Sequence, residues 1–475
     1  MLLFIAILIL ISIYSSKISA KYGIPLLILF ILIGIIVGSD VLNIFYFDNA
    51  VLTKRIADIL LIFIIFDGGF RVNKKSFNTV AGPAITLATF GVVLTSFILG
   101  FFIHLILKID LLYSMMISSI ISSTDAAAVF MITKQNPVKD RLATTLNVES
   151  AANDPMAIVL TITFIQIITE SSGSPLFIAI KLIWQFMGGI LIGYVVYKIS
   201  GWVIDLLKSD NRGNYNVLLL GLILLAYGLS DLVHANGIIA VFFMGYWLGN
   251  STFTAKTGIS NFLESIAVIC NVTLFIMLGL LAFPTRLVHI WKEGIVIALV
   301  MMFIARPIAV LLSTLPFKYR FKEKVFLMWG GIKGAVPIVL ATYPAVYNLD
   351  PNGVVFDIIF FAVLMSCLIQ GTTLGLLAKL FKFTEAKLPT SPYIIELHTT
   401  SKSDIDMYEF HITDKAPCVN KRISELDLGK EVLISSIIRN EKMILPKGNV
   451  VIKANDIVYM LGKAKSIDEV NRRLN

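Results

Sequence analysis

Charged residues are scarce in this chain of 475 residues, where Asp, Glu, Lys and Arg together make up 15% of the sequence. Soluble globular domains carry about 25% of such residues, so this deficit argues against a water-soluble globule. Apolar residues take their place: 57% of the chain is hydrophobic, and its mean hydropathy is +0.84. The composition therefore predicts a polytopic α-helical membrane protein.

Cysteine and histidine are also rare, at three and five residues. Cys270, Cys367 and Cys418 have no redox or metal-binding spacing, and no G-x-G-x-x-G follows a predicted strand. We therefore expect no cofactor, no structural metal and no enzymatic activity. The net charge of +9 does not indicate a nucleic-acid partner, because the positive residues lie in short loops between apolar segments.

Apolar segments of about 17–25 residues are long enough to cross a bilayer as helices. The sequence predicts about thirteen such spans on this rule, although the first and the ninth are short. The predicted spans cover residues 2–14, 23–38, 56–70, 80–107, 111–133, 142–169, 176–207, 217–232, 237–249, 262–283, 290–315, 325–347 and 354–383.

Lysine and arginine are concentrated in alternate loops between these spans. The richer set of loops holds Lys17, Lys21, Arg71, Lys74, Lys75, Lys134, Lys139, Arg141, Lys208, Arg212, Lys256, Lys318, Arg320, Lys322 and Lys324. The poorer set holds Lys54, Arg55, Lys108, Arg286 and Lys292. The positive-inside rule makes the richer set cytoplasmic. The N-terminus is then outside and the polar C-terminal region is inside.

Two neighbouring apolar segments, residues 117–130 and 147–160, place carboxylates where hydrocarbon would surround them. A charge at the bilayer centre costs roughly 2.5–3.5 kcal/mol or more, so such residues are candidates for a functional site. Ser150 and Asp154 are four residues apart and share one helix face, while Glu149 and Asn153 share another. Pro155 frees a backbone carbonyl close by. The pattern predicts an oxygen-rich site for a small hard cation, with one carboxylate that exchanges this cation for a proton.

Two spans are interrupted in matching places. The fifth span breaks at residues 122–125 among serines and Thr124, and the twelfth breaks at residues 330–337 around Lys333. Spans one to six and eight to thirteen would then form inverted repeats, with two broken helices that cross near the bilayer midplane. The alternative is that the glycines of the twelfth span only allow close helix packing. We favour the broken helix because Lys333 lies between those glycines.

The site motifs resemble those of monovalent cation:proton antiporters of the NhaP/NHE type. Thr124-Asp125 lies in one span, and Glu149-Ser150-x-x-Asn153-Asp154 lies in the next. The Asn-Asp pair is typical of the electroneutral branch. The resemblance covers about the first 385 residues. It implies an inverted-repeat antiporter fold, with Thr124 and Asp125 beside the cation site and a Thr124 oxygen as a ligand. Asn153 also belongs to the expected cation-binding set.

Each buried charge has an expected role. Asp154 is the expected exchanging carboxylate, with a structural hydrogen-bond acceptor as the alternative. At the breaks, Asp125 would compensate positive helix ends and Lys333 negative ones, with a ligand role as the second interpretation of Asp125. A buried Glu149–Arg306 ion pair would be a scaffold, and the resemblance implies the same pairing.

Asp67 lies near the cytoplasmic end of the third span. Acids at this place in the family often face the ion path. A plain interfacial acid explains the sequence equally well, so both interpretations of Asp67 stay open.

The composition changes after the last span. We expect a membrane domain over residues 1–383, a linker over 384–392 and a small α+β cytoplasmic domain over 393–475. The predicted strands of this domain are 393–398, 407–412, 432–439, 450–453 and 456–461, with helical segments at 423–426 and 466–474. Residues 432–439, 446–448, 455–456 and 461–462 resemble the RCK-C (TrkA-C) module of potassium-conductance regulators.

The resemblance to this module implies a dimer that binds a small ligand, with cyclic di-AMP as the candidate. A dimerisation domain without a ligand is the alternative.

Together these features predict an antiporter that exchanges K⁺ or Na⁺ for H⁺ across the bacterial inner membrane, as a homodimer regulated by a cytoplasmic ligand. A ligand-gated potassium channel is one alternative, against which the sequence contains no Thr-Val-Gly-Tyr-Gly filter. A receptor with a transporter-like body is the other, and it would carry no flux.

Overall fold

The computed structural model describes residues 25–44, 46–125, 138–169, 175–209, 211–384, 405–413, 416–426, 428–429, 431–440 and 442–463, together with isolated positions before 25, at 129 and after 463. The predicted first span, the predicted linker and the predicted strand over 393–398 lie outside these ranges. So does most of the predicted helix over 466–474.

Helices are the regular secondary structure of the described residues before 384, and loops and the two breaks connect them. Apart from two single turns at Pro284–Leu287 and Tyr343–Val346, we number them α1 to α13. They are α1 Leu26–Val37, α2 Ala50–Arg71, α3 Lys74–Leu107, α4 Leu111–Ser122, α5 Asp140–Thr169, α6 Pro175–Leu207, α7 Arg212–Leu232, α8 Gly237–Gly249, α9 Lys256–Leu281, α10 Trp291–Ser313, α11 Phe321–Trp329, α12 Ala335–Leu340 and α13 Val354–Leu380.

Seven of these helices are long and apolar enough to cross a membrane, within the described residues. The chain is therefore a multi-pass membrane protein. Several of the other helices are shorter than a span: α4 and α11 end at interruptions, and α12 begins after one. The count of thirteen spans consequently stays a prediction.

Both predicted interruptions are present. Helix α4 ends at Ser122, and residues 123–125 continue without helical structure. Helix α11 ends at Trp329, and α12 begins only at Ala335. Pro337 lies in the first turn of α12, where its missing N–H removes no helical hydrogen bond. The second break is therefore shorter than the predicted 330–337.

Three long helices contain a π-helical turn near their middle. The turns are Leu87–Gly91 in α3, Met301–Ala305 in α10 and Cys367–Gly371 in α13. Such turns often mark functional positions. Helices α3 and α10 correspond to the fourth and eleventh predicted spans, which are equivalent in the inverted repeat. This shared feature agrees with the predicted repeat.

The chain divides into two compact units. One comprises Met1–Ser200, Leu220–Asn250 and Leu263–Glu385, and the other comprises Gly201–Leu219, Ser251–Phe262 and Ala386–Asn475. The first unit holds every predicted site residue. The domain boundaries at 383 and 392 stay predictions.

A four-stranded antiparallel sheet forms the centre of the C-terminal domain. Its strands are β1 Ile405–His411, β2 Val432–Arg439, β3 Lys442–Ile444 and β4 Ile457–Lys463, in the order β1-β4-β2-β3. One face packs on an apolar core that contains Ile437, Val458 and Cys418. The domain is thus a small α+β unit, as predicted.

Two details of the predicted sheet were wrong. Residues 450–453 form no strand, because their backbone bonds go to the irregular segment around Arg422 and to no sheet neighbour. The short strand β3 was missed, although it pairs with β2 across a tight turn at Asn440. Its three residues are too few to give an alternating pattern.

A buried carboxylate connects the strands to the loop before β4. Asp456 is fully buried and accepts two bonds from Arg439, Nε–Oδ1 and Nη2–Oδ2, both at 2.8 Å. The Lys453 N–H also donates to it at 2.8 Å. These bonds with Asp456 raise the pKa of Arg439. Such a bidentate pair fixes both partners in one geometry.

We expect Arg439→Ala to destabilise the C-terminal domain by roughly 2–4 kcal/mol, because it leaves the Asp456 carboxylate buried without its partner. The figure is below that of a fully buried pair, since 22% of the Arg439 side chain is exposed. The buried thiol of Cys418 gives a native probe: its labelling by a maleimide in the full-length protein should become about 100-fold faster.

The matched control is Lys463→Ala, which removes the exposed pair with Glu431. The labelling rate of Cys418 should then stay at the wild-type value. An Arg439→Ala protein that labels as slowly as wild type would show that the pair does not stabilise the domain.

Candidate functional site

Helix α5 carries four of the predicted site residues in one buried stretch. Glu149, Ser150 and Asn153 are fully buried, and Asp154 is 9% exposed. Pro155 lies inside the helix and follows Asp154 directly. The side chains therefore meet the protein interior and not lipid.

Three hydroxyl and amide groups form a tight polar cluster between this helix and the first break. The Oγ1 of Thr124 lies 2.7 Å from the Oγ of Ser150. The Asn153 Nδ2 donates to the same Oγ1 at 2.6 Å, and the Thr124 N–H donates to Asn153 Oδ1 at 3.2 Å. The structure thus brings together the three predicted neutral ligands.

Asp154 is next to this cluster in sequence and carries unused hydrogen-bonding capacity. Among the described residues, its Oδ1 is buried without a partner of regular hydrogen-bond geometry, and the Ser123 hydroxyl approaches its carboxyl group. Its charged neighbours are Asp125 and Lys333. A buried carboxylate oxygen without a donor needs either a proton or a cation.

The two breaks are joined by direct hydrogen bonds. The Asp125 N–H donates to the Ile332 carbonyl at 2.8 Å, and the Lys333 Nζ donates to the Ser122 carbonyl at 3.0 Å. Ser122 is the last residue of α4, so the Lys333 ammonium lies at the negative end of that helix. This is the position that helix-end compensation requires.

Asp125 reaches the start of the second half of the other broken helix. Its side chain lies so close to Gly334, the residue before α12, that a Cβ there would overlap the carboxylate. A glycine is therefore needed at position 334. The carboxylate consequently lies by the positive end of α12, as expected for compensation.

Glu149 and Arg306 are in contact, with Arg306 Nη1 at 2.5 Å from Glu149 Oε1. Both side chains are buried, and Arg306 Nη2 also donates to the Leu327 carbonyl at 3.3 Å. The guanidinium packs on Gly331, where a side chain would overlap it. The predicted pairing of the two charges is thus present, and the glycine of the break makes room for it.

Asp67 lies apart from these groups. Its Oδ2 accepts a bond from Arg71 Nε at 2.8 Å, and Arg71 also approaches Glu264 at 3.7 Å. Within the part of the chain that the structure describes, no hydrogen bond or ion pair joins Asp67 to the cluster around Thr124. Asp67 is thus paired with Arg71, and both interpretations of this acid, a residue of the ion path or a plain interfacial acid, remain predictions.

Several functional neighbours carried no sequence signal. Ser366 and Cys367 lie on α13 and bond to Lys333 in the second break, and Gln370 of the same helix accepts a bond from Ser366. Polar residues in an apolar span could have drawn attention to α13, but nothing in their spacing identifies their partner.

The sequence profile described as "Sodium/hydrogen exchanger, transmembrane" matches residues 4–380 of this chain. The chain belongs to the sodium/hydrogen exchanger family. The TrkA-C domain profile matches residues 407–475, so the exchanger part is followed by a domain of this second kind.

Curated relatives align with nearly the whole chain. A "K(+)/H(+) antiporter NhaP2" of Shewanella sp. strain ANA-3 is 33% identical over 98% of this chain and 82% of its own length. A "K(+)/H(+) antiporter NhaP" of Alkalimonas amylolytica is 31% identical over 99% of this chain and 82% of its own length. These alignments therefore include the C-terminal domain.

A solved structure shares the membrane fold. The sodium proton antiporter of Methanocaldococcus jannaschii, determined at pH 8, superposes with a TM-score of 0.68 at 25% identity. The match covers 79% of this chain and 97% of the other. The membrane part therefore has the antiporter fold, as predicted.

We expect Arg306→Ala to destabilise the protein by about 3–5 kcal/mol, because it leaves the Glu149 charge buried without its partner. Adding Glu149→Gln removes that charge and should restore part of the loss. The measurement is a double-mutant cycle on the thermal unfolding of the purified protein. Losses that simply add would mean that the two residues do not stabilise each other.

Proposed function

We propose that this chain is a secondary-active antiporter that exchanges one K⁺ or Na⁺ for one H⁺ at Asp154. The observation that carries the proposal is the buried Asp154 carboxylate, whose Oδ1 has no donor in the described part of the chain. The hydroxyls of Thr124 and Ser150 and the amide of Asn153 add neutral oxygens close by. Hard oxygen donors of this kind suit small monovalent cations.

The charges of the site support exchange without net charge movement. With every group ionised, the acids Asp125, Glu149 and Asp154 outnumber the bases Arg306 and Lys333 by one. One bound proton or one bound monovalent cation would neutralise that excess. Because a low-dielectric site favours the neutral state, each ion displaces the other, and electroneutral exchange follows.

The proposed assembly follows the predicted topology. Thirteen spans would place the N-terminus outside and the TrkA-C domain in the cytoplasm of a bacterial cell, with the chain in the inner membrane as a homodimer. The two joined breaks would move as one body against the remaining helices. Such motion exposes the site first to one side and then to the other.

The choice between the two cations is guided by the relatives. Those that align with the C-terminal domain as well are named K⁺/H⁺ antiporters, whereas the relative from Methanocaldococcus jannaschii, named Na⁺/H⁺ antiporter 1, covers 76% of this chain. Potassium is therefore the first cation to test.

We expect Asp154→Asn to abolish cation-dependent proton flux in everted vesicles, because an amide neither releases a proton nor balances a cation. The matched control is Asp231→Asn, the same chemical change at an exposed residue at the end of α7. Flux should be measured with K⁺ and with Na⁺ across pH. Both variants should insert at wild-type levels.

Wild-type protein without exchange for either cation would contradict the proposed function and favour a receptor. Flux of K⁺ that is independent of protons would favour a channel. Exchange that persists in Asp154→Asn would mean that the protein is an antiporter whose exchanging carboxylate is not Asp154.

We further propose that a small cytoplasmic ligand, with cyclic di-AMP as the candidate, regulates exchange through the TrkA-C domain. Phe383 and Thr384 follow the end of α13. There Thr384 forms a β-bridge with Val138, and the Lys139 N–H donates to the Phe383 carbonyl at 3.1 Å. These contacts join the exit of the membrane domain to the start of α5, the helix that carries Asp154.

Phe383 also contacts the second broken helix. Its ring packs edge-on against Phe326 of α11, with centroids 5.8 Å apart. A change in the direction of the chain at this junction would therefore act on both halves of the site. Ligand binding shifts transport only if the ligand prefers one of these arrangements.

We expect cyclic di-AMP to bind the full-length protein and to change its exchange rate or the pH midpoint of exchange. Phe383→Ala should keep ligand binding but lose that change, because it removes the ring between α5 and α11. Leu380→Ala, at the exposed last residue of α13, should respond as wild type does. Binding and flux are measured on the same preparation.

Absence of cyclic di-AMP binding would contradict the ligand assignment. Binding without any change in flux would favour a domain that only dimerises.

A further inference from the structure

We propose that Ser366 and Cys367 of α13 are positioning residues for exchange, because they hold the backbone of Lys333 and so fix its ammonium beside Asp154. This inference rests on the proposed function.

The second break creates backbone groups that a helix would otherwise satisfy. Residues 330–334 are not helical, yet all are buried within a membrane-spanning part of the chain. No water reaches such groups in the hydrocarbon region, and each unsatisfied one costs several kcal/mol. The partners of these groups therefore determine the shape of the break.

Helix α13 supplies the partners of Lys333. The Lys333 N–H donates to the Ser366 Oγ at 3.2 Å, and the Cys367 thiol donates to the Lys333 carbonyl at 2.8 Å. Two adjacent residues thus bind both backbone groups of one residue. The break cannot shift along α13 without losing both bonds.

The Ser366 hydroxyl is itself oriented. It donates its only proton to Gln370 Oε1 at 2.6 Å, so its lone pairs remain available to the Lys333 N–H. Gln370 lies in the π-helical turn Cys367–Gly371, which widens α13 at this point. This gives the turn a specific use, since π-helical turns are frequent at functional positions.

The consequence reaches the exchanging carboxylate through Lys333. Its ammonium bonds to the Ser122 carbonyl at the end of α4, and its charged neighbours are Glu149 and Asp154 of α5 and Arg306 of α10. Asp125, from the first break, is the remaining charged neighbour of Asp154. Of the two charged neighbours of Asp154, displacing Lys333 moves only the positive one. The Asp154 carboxylate then has less positive charge near it.

If Ser366 positions Lys333, its loss should change how a proton and a cation compete for Asp154, in addition to any loss of stability. Withdrawing a positive charge favours the protonated carboxylate. In Ser366→Ala we therefore expect the pH profile of exchange to move to higher pH by about half a unit or more, and the apparent KM for the cation to rise at a fixed pH.

The test compares matched variants in everted vesicles, with thermal unfolding measured on each purified protein. Ser366→Thr keeps the hydroxyl and should restore the wild-type profile. Thr372→Ala removes a hydroxyl from the same helix, where it bonds only carbonyls of α13 itself, and should leave the profile unchanged. Cys367→Ala should act as Ser366→Ala does, with Cys367→Ser restoring the profile.

A second comparison isolates the path through Lys333. In a Lys333→Met background, adding Ser366→Ala should produce no further shift of the pH profile, because no ammonium remains to be positioned. A further shift there would mean that Ser366 acts on Asp154 by another route.

Ser366→Ala with a lower unfolding temperature but an unchanged pH profile and KM would overturn this inference and leave a structural role. That outcome is distinct from failure of the proposed function, in which the wild-type protein itself shows no exchange.

Discussion

Polar groups inside a bilayer have no water to bind, and this constraint determines how the two broken helices are arranged. Each break leaves backbone groups that its own helix cannot satisfy. The structure resolves this by pairing the breaks, with Asp125 N–H bonded to the Ile332 carbonyl and the Lys333 ammonium bonded to the Ser122 carbonyl. Because the breaks satisfy each other, unwound backbone can lie at the position where an ion must bind.

The same constraint limits the charges. Glu149 and Arg306 neutralise each other at 2.5 Å, and Asp125 and Lys333 lie at helix ends of opposite sign. The Asp154 Oδ1 at this site is buried without a hydrogen-bond partner, within the described residues. A site with one uncompensated carboxylate can hold one proton or one cation, and this property connects the geometry to exchange.

Part of this arrangement could be predicted because it is local. Helical periodicity places Ser150 and Asp154 on one helix face, and clustered serines or glycines indicate a break in an apolar span. The contacts of α13 could not be predicted, because Ser366 bonds to a residue 33 positions away without any characteristic spacing. One contact between distant residues could be predicted. Few buried residues of opposite sign were available, so Glu149 and Arg306 were the expected partners.

The central claim is that a proton and a cation compete for the Asp154 carboxylate. The most direct measurement is proton release when K⁺ or Na⁺ binds to the purified protein, followed with a pH indicator in weakly buffered detergent solution. The account predicts one proton released for each cation bound at pH values where the carboxylate is protonated, and none in Asp154→Asn. The account would be contradicted if the wild-type protein bound the cation with the same affinity at every pH and released no proton.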